Sequence, residues 1–409
     1  MQMSRWRWIA GRLTRRLWLR TTLIGLIGIL TAVLAAVVER FIPWDLPGKI
    51  GADAVGGLLN IIASSMLAVT TFSLSVVTAA YGSATSNVTP RATRLLIEDR
   101  ISQNALSTFV GSFLFAIVGL ILLSTGAYGD RGRIVLFFCT IGIIGLIVIS
   151  LLRWIDHLTR LGRVGETTGR VETAARNAVE HRLANPHLGG CPLQHVPAGC
   201  KAITSDRVGY LQHIDTAALQ GLAEQGDCHI YVATLPGAFI YDGTILAWVD
   251  GVAQTAMSGA FTIGEERTFD QDPRFGLVVL SEIASRALSP ATNDPGTAID
   301  VLGRTTRVLT LWAKGATSVE PEHPRVHIRG LTDADMLEDA FMLVARDGAS
   351  LIEIQLRLQK CMAALATLGT PHFRAAVQTQ AKMAWERADA ALPLESERKL
   401  LRQVASHPY

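Results

Sequence analysis

Charge is what the first third of this chain lacks. Only 18% of the 409 residues are charged. None of those charges falls in four apolar runs: Thr21–Val38, Leu58–Ala80, Ala105–Ser124 and Ile134–Leu152. Each run approaches the roughly 20 residues that an α-helix needs to cross a bilayer. Spans without charge argue against a proton relay and against a secondary transporter, which rely on ionisable groups or broken helices within the membrane. Cysteine is also sparse. Five residues, with Cys139 inside the fourth run, argue against a disulfide framework and leave the others reduced in a cytoplasmic part. No phosphate-binding glycine loop, nucleophile elbow or metalloprotease helix occurs, so the sequence makes no positive case for an enzyme or a cofactor.

Acidic residues are missing from the N-terminus, where Arg5, Arg7, Arg12, Arg15, Arg16 and Arg20 precede the first run. The net charge of +3 mostly reflects this segment and gives no reason to expect a nucleic-acid partner. Thr14–Arg20 imitates a twin-arginine export signal, but three further spans follow and residues 1–20 read as a basic interfacial helix that anchors topology. Arg91, Arg94 and Arg100, then Arg153, Arg160 and Arg163, continue the excess on the same side. On the positive-inside rule both termini are cytoplasmic, in a multi-pass protein of the bacterial inner membrane. Trp18, Trp44 and Trp154 stand at the ends of runs, as interfacial anchors would.

What the second run does contain is an unusual load of hydroxyls. At 3.6 residues per turn, Asn60, Ser64, Thr71, Ser75 and Thr78 share one stripe, with Leu67 the large apolar residue on it. Gly82, Thr85 and Thr89 continue the stripe. Helix–helix packing is one explanation, since small residues let backbones approach and hydroxyls bond back to carbonyls. A wet surface is the other: a pore lined by hydroxyls, with Leu67 as a constriction and Arg91 and Arg94 as an inner vestibule. Packing suits Ser65, Thr70 and Ser73, which lie off the stripe; a wet surface better suits Asn60, whose amide is costly to desolvate. Pro90 breaks the helical pattern after this span. In the third run Gly111, Ser112, Phe115 and Gly119 form a seam for close packing, and the fourth reads as the most lipid-exposed.

The sequence thus divides into a four-helix transmembrane domain at 21–152, a connecting helix at 153–185, a small β domain at 199–264 and a helical domain at 265–409. The connecting helix is expected to run unbroken from Arg153 to Leu183. Strands over Gly209–Ile214, Cys228–Leu235 and Ala238–Asp250 suggest a small, partly open β-barrel or sandwich, with Asp215 capping a helix over Thr216–Ala223. Five helices follow, the first beginning near Leu277. His187, Cys191, His195 and Cys200 could ligate zinc by type, but their spacing fits no strong template, and the segment reads as a loop without metal.

Glu265, Glu266, Arg267, Asp270 and Asp272 precede a helix bearing Glu282 and Arg286. An arginine–carboxylate clamp explains them more simply than a divalent cation site. In Ser289–Pro295, Asp294 is a helix N-cap, Pro295 the first helical residue and Asn293 a turn former.

Phe72-Ser73-Leu74, Thr89-Pro90-Arg91, Asp99, Gln103 and Phe109-Val110 resemble the membrane half of a known family. Arg267-Thr268, Gln271-Asp272, Phe275-Gly276 and the run from Arg286 to Pro295 resemble its second half. It is the bacterial predicted-membrane-protein family catalogued as domain of unknown function 2254. Gly296 and Ala238 depart from it, standing where an aromatic residue and an acid are more usual. The resemblance implies a multi-span inner-membrane protein with a cytoplasmic domain and brings no activity with it. The residues themselves suggest an oligomeric ion channel lined by the second span, weakly selective and leaning to anions, with membrane lipid, inorganic ions and further copies of the chain as partners. The alternative is a membrane-anchored sensor or scaffold binding a ligand near Arg267, Asp272 and Arg286.

Overall fold

In each of the four apolar runs the helix outreaches the run that seeds it. The computed structural model describes residues 17–38, 52–251, 255–316 and 320–406. Trp44 and most of the basic N-terminal segment lie outside them. Helices α1 (Leu17–Val38), α2 (Ala52–Asn87), α3 (Pro90–Ile97), α4 (Arg100–Ser124) and α5 (Asp130–Leu158) build the first part. All but α3 are long and apolar enough to cross a membrane. The 36 residues of α2 make a rod of about 54 Å, against a hydrocarbon core of about 30 Å. The helical pattern breaks before Pro90, as expected: α2 stops at Asn87 and Pro90 opens α3, while Asp99 caps α4 by accepting a hydrogen bond from the Ser102 amide.

The chain contacts cluster into two units. The helical unit, Ala10–Ser86 with Thr93–Glu166, has its core in Leu59, Met66, Phe109, Phe115, Leu136 and Trp154. A tight backbone approach joins α1 and α4, where a methyl on Gly28 would meet the Gly111 carbonyl oxygen at 2.5 Å. The small-residue seam therefore does what its composition suggested. Span α4 is the most buried of the four and α1, rather than α5, the least. Trp154 is no interfacial anchor: it is 1% exposed and its indole N–H donates to Ser73 Oγ at 2.9 Å. Nor does α5 run on unbroken toward residue 183. It ends at Leu158, and Gly162, at φ +78° and close against Ala80, lies in the break before the next helix.

The second unit comprises Thr167–Tyr409 together with the turn Asn87–Ala92. It opens on α6 (Val164–Ala184), followed by β1 (Gly190–Pro192), β2 (Lys201–Thr204), β3 (Gly209–Ile214) and α7 (Thr216–Gln225). Then come β4 (Ile230–Val232), β5 (Phe239–Ile240), β6 (Ile245–Val249), α8 (Thr255–Ser258) and β7 (Phe261–Gly264). Helices α9 (Pro273–Ala287) and α10 (Pro295–Ala313) precede β8 (His323–Ile328). Four helices finish the chain: α11 (Asp333–Asp347), α12 (Ile352–Ala366), α13 (Pro371–Ala391) and α14 (Glu395–Ser406).

The strands do not close into a barrel, one of the two arrangements the sequence suggested. They form an open five-stranded sheet, ordered β1-β8-β4-β6-β2, and a separate three-stranded sheet, β5-β3-β7. The physical reason is β8. It arrives from beyond α10 and pairs in parallel with both β1 and β4, occupying the position through which a closed meander would have continued. Leu211, Ile230, Val249, Ile263 and Val326 share one core drawn from both sheets. The Asp215 cap forms as expected, accepting from the Ala218 amide.

Candidate functional site

The polar stripe of α2 lies on the side of the helix that the described residues of its own chain leave uncovered. Only a narrow strip of the helix, including Val55, Leu59, Ile62, Met66, Ser73 and Val77, is buried within the helical unit. Asn60, Ser64, Leu67, Thr71, Ser75 and Thr78 all lie on its exposed face, with Leu67 54% exposed. The stripe therefore does not pack against the described spans of its own chain. Of the three hydroxyls expected to pack, Ser73 is buried and Thr70 half-buried, but Ser65 is exposed.

Each exposed hydroxyl is satisfied locally. Ser64 donates to the Asn60 carbonyl at 2.9 Å, Thr71 to Leu67 at 3.0 Å, Ser75 to Thr71 at 3.1 Å and Thr78 to Leu74 at 2.9 Å. Such back-bonding lets a hydroxyl sit beside hydrocarbon at little cost. Asn60 differs, because its side-chain amide makes no hydrogen bond among the described residues and an unpaired amide out of water costs several kcal/mol, roughly 2–7.

The two arginines of the expected vestibule are each paired. Arg94 Nε bonds Glu98 at 3.0 Å within the helical unit. Arg91 belongs with the second unit, where its guanidinium lies 2.7 Å from Glu282, the carboxylate that Thr89 also reaches at 3.2 Å. Their positive charge is largely offset.

Arg267 and Asp272 form the clamp, 2.7 Å apart and largely buried. Asp272 also caps α9, and burial raises its pKa against the opposing pull of Arg267. Arg286 is exposed near the far end of α9, about 20 Å along the axis from the cap. The structure thus joins two of the three residues expected around a ligand and leaves the third apart. His187 Nδ1 bonds the Ile328 carbonyl at 2.9 Å, Cys191 sits in β1, and no group of three or more metal-ligating side chains is assembled among the described residues.

Three arrangements escaped sequence reasoning. In the helical unit, buried Asp99 takes His157 Nε2 at 2.9 Å and the Ser102 hydroxyl at 2.7 Å. In the second unit, Glu172 holds Arg307 at 2.7 Å and Arg304 at 3.0 Å, and the Arg307 hydrogen bond foremost lowers its pKa. Arg182 of α6 is 3% exposed and donates to the Gln271 carbonyl at 2.7 Å. Their only sequence signal is a charge recurring on an otherwise apolar helix face.

A four-span helical unit joined to an α+β unit defines a polytopic membrane protein. The profile of the family described as predicted membrane protein, domain of unknown function 2254, matches residues 14–364, and the chain belongs to that family. It is 25% identical over 372 residues to an uncharacterized protein of Mycobacterium tuberculosis, covering 86% of this chain and 71% of the relative. An uncharacterized protein of Mycobacterium bovis is similar to the same extent. No solved structure matches the chain.

Proposed function

We propose that the chain assembles into an oligomeric ion channel of the bacterial inner membrane, with α2 lining the pathway. Both termini and the α+β unit are cytoplasmic in this reading, and that unit assembles or gates the pore. The observation that carries it is the outward placement of Asn60, Ser64, Thr71, Ser75 and Thr78 on a single copy. A face left uncovered by its own chain, bearing an unpartnered amide, is relieved by water or by a second copy. Leu67 is the hydrophobic constriction on that face. Hydroxyls without a ring of carboxylates give weak selectivity. The lean to anions draws little from Arg91 and Arg94, since Glu282 and Glu98 offset them. No catalytic step is assigned to any residue.

The test is reconstitution of wild type and Leu67→Ser in planar bilayers, under voltage and under tension. Wild type should show discrete currents, and Leu67→Ser a raised open probability. Silence from both would overturn conduction.

A further inference from the structure

The second unit contains a cavity of about 240 Å³, walled by Arg182, Leu183, Trp312, Ala313, Asp333 and Phe373 among others. Its walls are mainly apolar, which is the usual character of a small-molecule site with a few polar groups fixing orientation. One of those polar groups is anomalous. Arg182 is almost fully buried, yet its Nη1 has no hydrogen-bond partner among the described residues. Of five N–H donors, the guanidinium uses one on the Gln271 carbonyl. The carboxylate whose field reaches it is Asp272, and that group is clamped by Arg267. Burial pushes the Arg182 pKa down to about 10, so it stays charged at neutral pH. A buried cation so poorly compensated is costly unless an anion completes it.

We propose that this cavity binds a small organic monoanion, a carboxylate on a compact apolar body, with Arg182 as the carboxylate anchor. The size follows from the volume. At about 30 Å³ per water, 240 Å³ holds roughly eight non-hydrogen atoms. The charge follows from the walls. Arg182 lines the cavity with donors left over after the Gln271 carbonyl, and a guanidinium is the cation that best suits a carboxylate. Thr370, also lining the cavity, caps the 21-residue helix α13, whose N-terminal end favours negative charge. A dianionic phosphate is disfavoured, because Asp333 shares the wall, held by the Trp312 indole N–H at 2.7 Å. Leu183, Pro186, Ala313 and Phe373 receive the apolar body. None of Arg267, Asp272 and Arg286 lines this cavity, although Arg182 bonds the carbonyl of Gln271 beside Asp272, and the proposal holds whether or not the spans conduct.

The test is calorimetric titration of the full-length protein in lipid nanodiscs with benzoate, with its neutral isostere benzamide, and with inorganic phosphate. Empty nanodiscs correct for partitioning. Benzoate should bind saturably, and benzamide roughly tenfold or more weakly, the loss expected for a charge-assisted hydrogen bond. Phosphate should give no saturable heat. Arg182→Gln should weaken benzoate to the level of benzamide, and Ala313→Phe, which fills the cavity and keeps the cation, should abolish binding. Absence of benzoate binding to wild type, equal affinity for benzamide, preference for phosphate, or an Ala313→Phe variant that binds normally would each overturn the proposal. The wild-type comparisons decide the matter even where Arg182→Gln fails to fold.

Discussion

The indole N–H of Trp154 donates to the hydroxyl of Ser73 at 2.9 Å, with both side chains buried. It ties α2 to α5 and marks the inner side of α2 as surely as Leu67 marks the outer one. Ser73→Ala should destabilise the protein by about 1–3 kcal/mol, because it orphans a buried donor. Ser64→Ala, on the exposed stripe, should stay within about 0.5 kcal/mol. Denaturation of the two variants in detergent measures the contrast, and equal losses would mean that the stripe is buried after all.

At the crossing of α1 and α4 the neighbour of Gly28 is backbone, which cannot turn aside. Gly28→Ala should cost about 1–3 kcal/mol through overpacking. Gly142→Ala in α5 meets nothing within 4 Å and should be neutral or slightly stabilising. Melting temperatures in one detergent provide the comparison.

Gly237 stands at φ +98°, with Asp272 packed where a methyl would go. Gly237→Ala is therefore strained twice, in its backbone and against a buried ion-paired carboxylate. A loss of about 2 kcal/mol or more is expected. Gly199→Ala, also at positive φ but with open space around it, isolates the backbone part. Chemical denaturation of the two variants beside wild type gives the steric part by difference.

Glu172 contributes stability that depends on pH. Its carboxyl is held below the ordinary glutamate range, first by the hydrogen bond from Arg307. Its contribution is thus complete above the unfolded value and disappears as pH falls through the lower, folded one. Glu172→Gln should cost about 1–2 kcal/mol near neutrality, since it leaves two arginines facing a neutral group while Arg307 keeps contact with solvent and Arg304 keeps Asp300. The gap to wild type should narrow steadily as pH drops below the ordinary glutamate range. Melting curves across that interval check both the size and the sign.

Local rules carried the sequence reading a long way. Asp215 and Asp294 cap the helices they were expected to cap, and Pro295 opens α10. The glycine seam packs as its composition suggested, since glycine removes the side chain that would hold two backbones apart. Non-local pairing was invisible. Nothing in His323–Ile328 says that it lies between β1 and β4, because a strand's partners are set by topology and not by its own pattern. The side of α2 that faces outward was equally hidden: serine and threonine suit a packed seam and a wet wall alike. Arg182 went unnoticed because one arginine among others on a charged helix looks solvated until the fold closes over it.

The place of β8 bears on how the protein can be made. Neither β1 nor β4 can find its shared neighbour until translation has passed Ile328, roughly a hundred residues after β4 leaves the ribosome. Until then β4 presents an unpaired edge and β1 has no partner strand. Pairings of such long sequence separation form slowly. Fragments that stop short of this strand should aggregate, while those that include it carry all the strands the larger sheet requires.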